Sequence, residues 1–115
     1  MKEDKIVRTS LGNFLISEHL TKGLIFKDRE MNWYSALEAV RKKGSAWSLP
    51  TLEQISTIHE ESNFFDDIDG ENVYWCLDEY EENLDCAFAY DLQVVMTGHW
   101  HKSTYDYMVI AIKPI

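Results

Sequence analysis

The spacing of apolar residues in the centre of the chain predicts two helices. In the first, apolar side chains recur at intervals of three and four residues: Trp33, Ala36, Leu37 and Val40. Asn32 precedes this stripe and can cap the N-terminus, while the basic residues 41–43 suit the partly negative C-terminal end. Gly44 follows and supplies a left-handed residue at which the helix can stop.

The second helix is predicted to begin after Pro50, which cannot continue a preceding helix. Thr51 and Gln54 have the spacing of a capping box, in which each side chain accepts a hydrogen bond from the backbone of the other. The buried face is predicted to consist of Leu52, Ile55 and Ile58. The helix is expected to fade near residues 61–63, before an acidic loop.

Runs of apolar and β-branched residues outside the helices predict five strands. They comprise residues 13–16, 23–26, 72–77, 85–95 and 107–112. The third and fourth runs flank an acidic turn and should form a β-hairpin, Gly98 marks a further turn, and Pro114 ends the last strand. The order of elements predicts one α+β domain, with a single antiparallel sheet and two helices packed on it.

One hydrophobic core is expected beneath the two helices. Its predicted members come from the helix stripes, the entrance to the second helix and the apolar strands: Trp33, Trp47, Leu49, Ile55, Trp75 and Val109. Trp47 and Leu49 are assigned to packing because an aromatic residue at a helix entrance usually serves the core.

The charge of the chain is strongly uneven. Twenty acidic and eleven basic residues among 115 give a net charge of −9, and residues 44–101 contain thirteen acids with no Lys or Arg. Nucleic acids and anionic lipids need clustered bases, so neither is an expected partner. No apolar run approaches the length of a membrane span and no signal peptide is evident, which favours the cytoplasm. The expected partner is a protein with a basic surface.

Two groups of residues are candidates for binding that partner. The acids of the predicted hairpin turn should project from a rigid element and tolerate replacement without effect on the core: Asp78, Glu79, Glu81 and Glu82. Aromatic residues next to the predicted loops should act as contact anchors, as aromatics do at interfaces: Phe64, Phe65, Tyr80, Trp100 and Tyr105.

Two groups of side chains are candidates for a metal site, and the alternative is that they are merely solvated. Residues 67–78 have the oxygen-rich character of a calcium loop, but Gly70 stands at the wrong position for an EF-hand, so only an irregular site remains open. His99 and His101 lie on one side of an extended segment and would need His59 or an acid to complete a zinc site. The prediction is that neither a metal nor another cofactor is bound.

Cys76 and Cys86 flank the acidic turn symmetrically and could face each other across the hairpin. In a reducing compartment they are expected to be buried thiols. A catalytic role is not predicted either, because no nucleophile, base and oxyanion donor occur together in a known arrangement.

Several segments resemble the DUF1566 (Lcl C-terminal) group, over residues 23–113. The similar segments are Trp33-Tyr34-Ser35-Ala36, Trp47-Ser48-Leu49-Pro50-Thr51-Leu52-Glu53-Gln54-Ile55, Tyr74-Trp75-Cys76, Ala87-Phe88-Ala89-Tyr90-Asp91 and Met108-Val109-Ile110-Ala111-Ile112. The resemblance implies a C-type-lectin-like fold, similar to that of the formylglycine-generating enzymes. Ser48 and Ile110 stand where the group has arginines, which implies that apolar packing replaces an ion pair here.

The function predicted from these features is recognition without catalysis, by a binding module on a C-type-lectin-like scaffold. Its acidic and aromatic loops would contact a protein partner. The alternative is an acidic inhibitor or DNA mimic of the kind that phages direct against basic host proteins, which rests on the long segment without bases.

Overall fold

The computed structural model describes residues 4–17, 30–66, 73–93 and 96–115. It confirms both predicted helices, α1 at Trp33–Lys43 and α2 at Leu52–Glu61. Within these residues the strands are β1 (Lys5–Thr9), β2 (Gly12–Ile16), β3 (Glu30–Met31), β4 (Val73–Glu79), β5 (Cys86–Asp91), β6 (Met96–His101), β7 (Tyr107–Met108) and β8 (Ile112–Pro114). The predicted strand 23–26 and the acidic loop beyond residue 66 lie outside the described residues.

The helix ends follow the sequence prediction closely. The Asn32 side chain accepts a hydrogen bond from the N–H of Ser35 at 2.9 Å, which caps α1. At α2, the Thr51 hydroxyl accepts from the Gln54 N–H at 3.1 Å and the Gln54 side chain accepts from the Thr51 N–H at 2.9 Å, so the capping box is confirmed. Gly44 ends α1 with φ of 143°, but its ψ of 161° is extended and not the left-handed helical value expected.

The strands form two sheets, so the prediction of one antiparallel sheet is wrong. One sheet has the order β1-β2-β8 and the other the order β3-β7-β4-β5-β6. The predicted terminal strand, residues 107–112, is divided between them as β7 and β8. The chain crosses over at Ala111, whose N–H and C=O pair with the buried Ser17 and not with a neighbouring strand of the larger sheet. The pairing of β4 with β7 is parallel, with Tyr74 opposite Met108.

The predicted hairpin of β4 and β5 is confirmed, but the turn predicted at Gly98 is wrong. Gly98 lies inside β6, opposite Ala89 of β5. A Cβ atom at this position would lie 2.6 Å from a ring carbon of Trp100. Glycine is required here because the indole covers the strand, and not because the backbone turns.

The larger sheet is covered on both faces, which gives two cores where one was predicted. The core on the α2 face comprises Val7, Phe14, Ile16, Ile55, Ile58, Phe65, Tyr74, Cys76, Tyr90, Leu92, Met108, Ile110 and Ile112. The core on the α1 face comprises Met31, Trp33, Ala36, Val40, Leu49, Trp75, Ala87, Ala89, Val109 and Ala111. Ile55 is therefore separated from the other predicted members, because α2 packs in one core and α1 in the other.

Trp47 is also placed differently from the prediction. Its side chain is half-buried at the edge of the α1-face core, and the Nζ atoms of Lys43 and Lys113 lie 4.4 and 5.2 Å from its ring centroid. These distances are typical of cation–π contacts. The ring therefore has both a packing role and an interaction with charged groups at the surface.

The smaller sheet is attached to α2 by a carboxylate at the C-terminal end of the helix. Glu61 accepts hydrogen bonds from the N–H and the hydroxyl of Ser10, at 2.8 and 2.6 Å. These two hydrogen bonds hold the pKa of Glu61 below its ordinary value. The contact fixes the β1–β2 turn against α2. It stabilises the fold fully above the ordinary pKa of a carboxyl group, and this stabilisation is lost as the pH falls through the lowered pKa of Glu61.

Two separate cores should respond independently to mutation. We expect Leu49→Ala on the α1 face to cost about 2–5 kcal/mol and Ile55→Val on the α2 face about 0.5–1.5 kcal/mol. The double variant should match the sum within about 0.5 kcal/mol, as measured by urea denaturation. The control is Ile55→Val combined with Ile58→Val, which removes methyl groups from one core. Here the loss of unfolding free energy in the double variant should differ from the sum of the two single losses. A large coupling between Leu49 and Ile55 would contradict the division.

Candidate functional site

The acidic end of the β4–β5 hairpin forms an open pocket of about 360 Å³. We call it the acidic pocket, and its lining residues are Asp78, Glu79, Tyr80, Glu81, Glu82 and Phe88. The turn that carries it is closed by backbone hydrogen bonds from Tyr80 to Cys86 and from Cys86 to Asn83, at 3.0 and 2.9 Å. Five of the nine residues predicted for binding therefore lie together.

A stack of aromatic rings supports the acidic pocket. Tyr80 lies parallel to His99 of the neighbouring strand β6, with ring centroids 3.8 Å apart and planes inclined by 5°. Phe88 meets both rings edge-on, at 5.8 and 6.3 Å. Strand pairing brings these residues together, because His99 is directly opposite Phe88 in the β5–β6 ladder. The pocket therefore combines carboxylates with a rigid aromatic surface.

Glu79 is not a free surface acid, because it pairs with a buried lysine. The Nζ atom of Lys102 lies 2.7 Å from a Glu79 carboxylate oxygen, and the Lys102 side chain is only 4% exposed. The same ammonium lies 4.3 Å from the ring centroid of Trp33. A buried charge is costly unless it is paired, so Glu79 compensates a charge inside the fold.

Asp78 also has a structural partner. Its side chain accepts a hydrogen bond from the N–H of Leu52, the first residue of α2, at 2.9 Å. This N–H has no partner inside the helix, and a carboxylate at a helix N-terminus is favoured by the helix dipole. The prediction that all four hairpin acids tolerate replacement is therefore wrong for Asp78 and Glu79.

The remaining two acids are exposed and available to a ligand. Glu81 makes no hydrogen bond or ion pair with any described residue, and the Glu82 carboxylate accepts only from the Tyr80 hydroxyl, at 2.7 Å. That hydrogen bond, with burial and the charges of Glu82 and Cys86, raises the pKa of Tyr80. The hydroxyl is therefore held as a neutral donor that orients Glu82.

The other predicted contact residues lie elsewhere. Phe65 is 7% exposed and belongs to the α2-face core, where Phe64 packs against it, so the prediction that Phe65 is a surface anchor is wrong. Trp100 packs against the opposite core and contacts Tyr107, on which the exposed Tyr105 stacks. Trp100 and Tyr105 are therefore on the face of the sheet away from Phe88.

The cysteines are unpaired, and the histidines do not belong to a three-ligand group among the described residues. Cys76 and Cys86 are buried free thiols, and burial raises the pKa of Cys76. They are not opposite each other, because Trp75 pairs with Ala89 and Glu79 pairs with Ala87 in the β4–β5 ladder. In the described ranges no group of three or more His, Cys, Asp or Glu could hold a metal ion. The calcium-loop hypothesis falls on residues 67–72 outside those ranges and is untested.

Sequence reasoning missed three side chains of this site, namely Phe88, His99 and Lys102. Phe88 falls in the predicted strand 85–95 and His99 is considered only as a zinc ligand, because their contact with Tyr80 depends on the β5–β6 register. Lys102 is the first base after the long acidic segment, and this isolation was the available signal that it has an acidic partner.

The sequence matches no family model and no curated protein. None of the helices in the part of the chain that the structure describes is long and apolar enough to cross a membrane.

The Glu79–Lys102 contact can be tested with a double-mutant cycle. We expect Glu79→Gln to lower the free energy of unfolding by about 1–3 kcal/mol, since the buried ammonium loses its charged acceptor. In a Lys102→Met background, which retains an aliphatic chain over Trp33, the same change should cost no more than about 0.5 kcal/mol. Equal costs in both backgrounds, measured by chemical denaturation, would refute the pairing.

The hydrogen bond of Tyr80 can be tested by titration. In Glu82→Ala the pKa of Tyr80 should fall toward the ordinary tyrosine value of about 10, because both the acceptor and the negative charge are removed. The tyrosine ring signals followed by NMR against pH report this value. Glu81→Ala is the matched control and should leave the titration of Tyr80 unchanged. An unaltered pKa in the Glu82 variant would mean that another group causes the shift.

Proposed function

We propose that this protein is a non-catalytic recognition domain that binds a basic side chain of a protein partner in the acidic pocket. The observation that supports this most is the combination of two available carboxylates, Glu81 and Glu82, with the Tyr80–His99 stack. A guanidinium or ammonium group gains from both, through ion pairing and through contact with aromatic rings. Arginine suits the pocket best because its planar group can do both at once.

The fold context of this proposal is a C-type-lectin-like scaffold of the DUF1566 type, acting in the cytoplasm. The two helices, the antiparallel β4–β5 hairpin and the buried Ile110 in place of an arginine are compatible with it. In this proposal the loops of the scaffold present the binding surface, while the sheet and its two cores supply rigidity. No cofactor or catalytic step is part of the proposed activity.

The acidic segment favours local recognition over mimicry of DNA. A mimic needs an extended array of free carboxylates in place of phosphates. Three acids of the segment are instead engaged within the fold: Glu61 with Ser10, Asp78 with α2 and Glu79 with Lys102. The exposed acids of the hairpin turn, Glu81, Glu82 and Asp85, lie close together in the chain, and such a small group suits one or two basic side chains.

The proposal can be tested by NMR titration with a short oligoarginine peptide. Shifts should concentrate at residues 78–88 and at His99, and an oligoglutamate peptide should cause none. Glu81→Gln/Glu82→Gln should weaken binding roughly fivefold to tenfold at low salt, because the two available charges are lost. Its melting temperature should be unchanged, since neither carboxylate compensates a buried charge.

Glu53→Gln/Glu60→Gln is the matched control, because both acids are exposed on α2 and neither lines the pocket. It carries the same net charge as the pocket variant and should bind like the wild type at every salt concentration. Equally weakened peptide binding in both variants would mean that only the net charge matters, and it would overturn the assignment of the pocket. Shifts confined to Trp100 and Tyr105 would locate binding on the opposite face instead.

A further inference from the structure

A second concave surface lies beside the C-terminal end of α1, with a volume of about 250 Å³. We call it the Trp47 groove, and its lining includes Leu37, Val40, Arg41, Trp47, Leu49 and Leu77. Leu77 is 40% exposed, although the three residues before it on β4 are buried. The groove therefore presents an apolar surface to solvent.

Basic side chains surround the Trp47 groove without enough acids to balance them. The Nζ atoms of Lys43 and Lys113 lie near the Trp47 ring, at 4.4 and 5.2 Å from its centroid. Lys43 has a carboxylate of Asp4 at 3.3 Å, whereas Lys113 has no carboxylate within ion-pair distance among the described residues. Arg41 in the lining pairs with Glu38 on its own helix. A ligand that supplies carboxylates would complete this arrangement.

The backbone that forms the Trp47 groove is fixed by two local features. Gly44 has a positive φ that other residues rarely adopt, and it turns the chain so that Trp47 returns toward the helix. Ser48 then exchanges two backbone hydrogen bonds with Ile112, at 3.0 and 2.8 Å. This bridge brings the neighbouring Lys113 next to Trp47.

The same chain carries a segment of the complementary chemistry. At the tip of the β4–β5 hairpin, Leu84 is 62% exposed. Exposed acids surround it in sequence: Glu81, Glu82 and Asp85. One apolar side chain among three carboxylates matches an apolar groove with a cationic rim in both hydrophobicity and charge.

We propose that the Trp47 groove binds the hairpin tip, residues 80–85, of a second copy of this chain. Leu84 contacts the apolar lining, and Glu81 and Glu82 approach Arg41 and Lys113. This inference rests on the proposed function, since it makes a second copy one of the basic partners that the hairpin recognises.

The position of the two surfaces favours a closed dimer. Leu77 lines the groove and Asp78, the next residue of β4, lines the acidic pocket. Because the two surfaces are adjacent on one strand, two copies related by a two-fold axis can make the same contact twice. Each copy then inserts its hairpin tip into the Trp47 groove of the other. The net charge of −9 opposes the approach of two copies, so the contact depends on these local pairs.

Exchange of charges between the surfaces tests the proposal. Glu81→Lys/Glu82→Lys makes the tip basic, and Arg41→Glu/Lys113→Glu makes the groove acidic. Each variant alone should raise the dimer dissociation constant roughly tenfold or more in sedimentation velocity, because like charges then face each other. An equimolar mixture should dimerise again, because each tip then meets a groove of opposite charge.

The control is Glu53→Lys/Glu60→Lys, which changes the net charge as much as the tip variant but lies on α2, and it should dimerise like the wild type. Leu84→Ser tests the apolar contact without any change of charge and should weaken the dimer. A mixture that stays monomeric, or a wild type that is monomeric at all concentrations, overturns the inference. The oligoarginine titration tests the proposed function independently of the dimer. The groove variant retains the acidic pocket and should still bind the peptide even where it no longer dimerises.

Discussion

The burial of β4 on both faces is the constraint on which the rest of the structure depends. Tyr74, Trp75 and Cys76 are consecutive and fully buried, so each face of the strand must be covered by a different layer. The indole N–H of Trp75 donates to the Met31 carbonyl and that of Trp33 donates to the Cys76 carbonyl, at 2.8 and 2.9 Å. Because buried indole donors need acceptors, these bonds fix the start of α1 against the centre of the sheet.

The end of the same strand determines where the charged residues go. Beyond Cys76 the pairing with β5 shifts, and three successive side chains acquire different surroundings. Leu77 lines the Trp47 groove, Asp78 caps α2 and Glu79 pairs with Lys102. Two acids of a strongly acidic turn are thereby used inside the fold, and they hold the turn rigidly in place. The acids that remain available are presented on a fixed frame, which lowers the entropic cost of binding.

Among the described residues, the bases near the Trp47 groove and the available acids of the hairpin come from different elements. The bases near the Trp47 groove come from α1 and β8, whereas the available acids come from the hairpin turn. Lys102 is the exception, because its ammonium lies over Trp33 and within the acidic region. Its backbone also accepts from the Trp33 N–H and donates to the Asp85 carbonyl, so this residue joins α1 to the open end of the β5–β6 pair, where β5 begins and β6 ends. Burial of this charge therefore couples the helix to the acidic pocket.

The sequence by itself determined the helices, their N-caps and the β4–β5 hairpin, because these depend on residues that are close together in the chain. The apolar stripe of α1 and the capping box of Thr51 and Gln54 act through local hydrogen bonds and one face of a helix. The division into two sheets, the position of Gly98 inside β6 and the burial of Phe65 were decided only by tertiary packing. The acidic turn was visible in the sequence, but which acids are available was not. That distinction depends on Lys102 and on the N-terminus of α2, and both reach the turn only when the chain is folded.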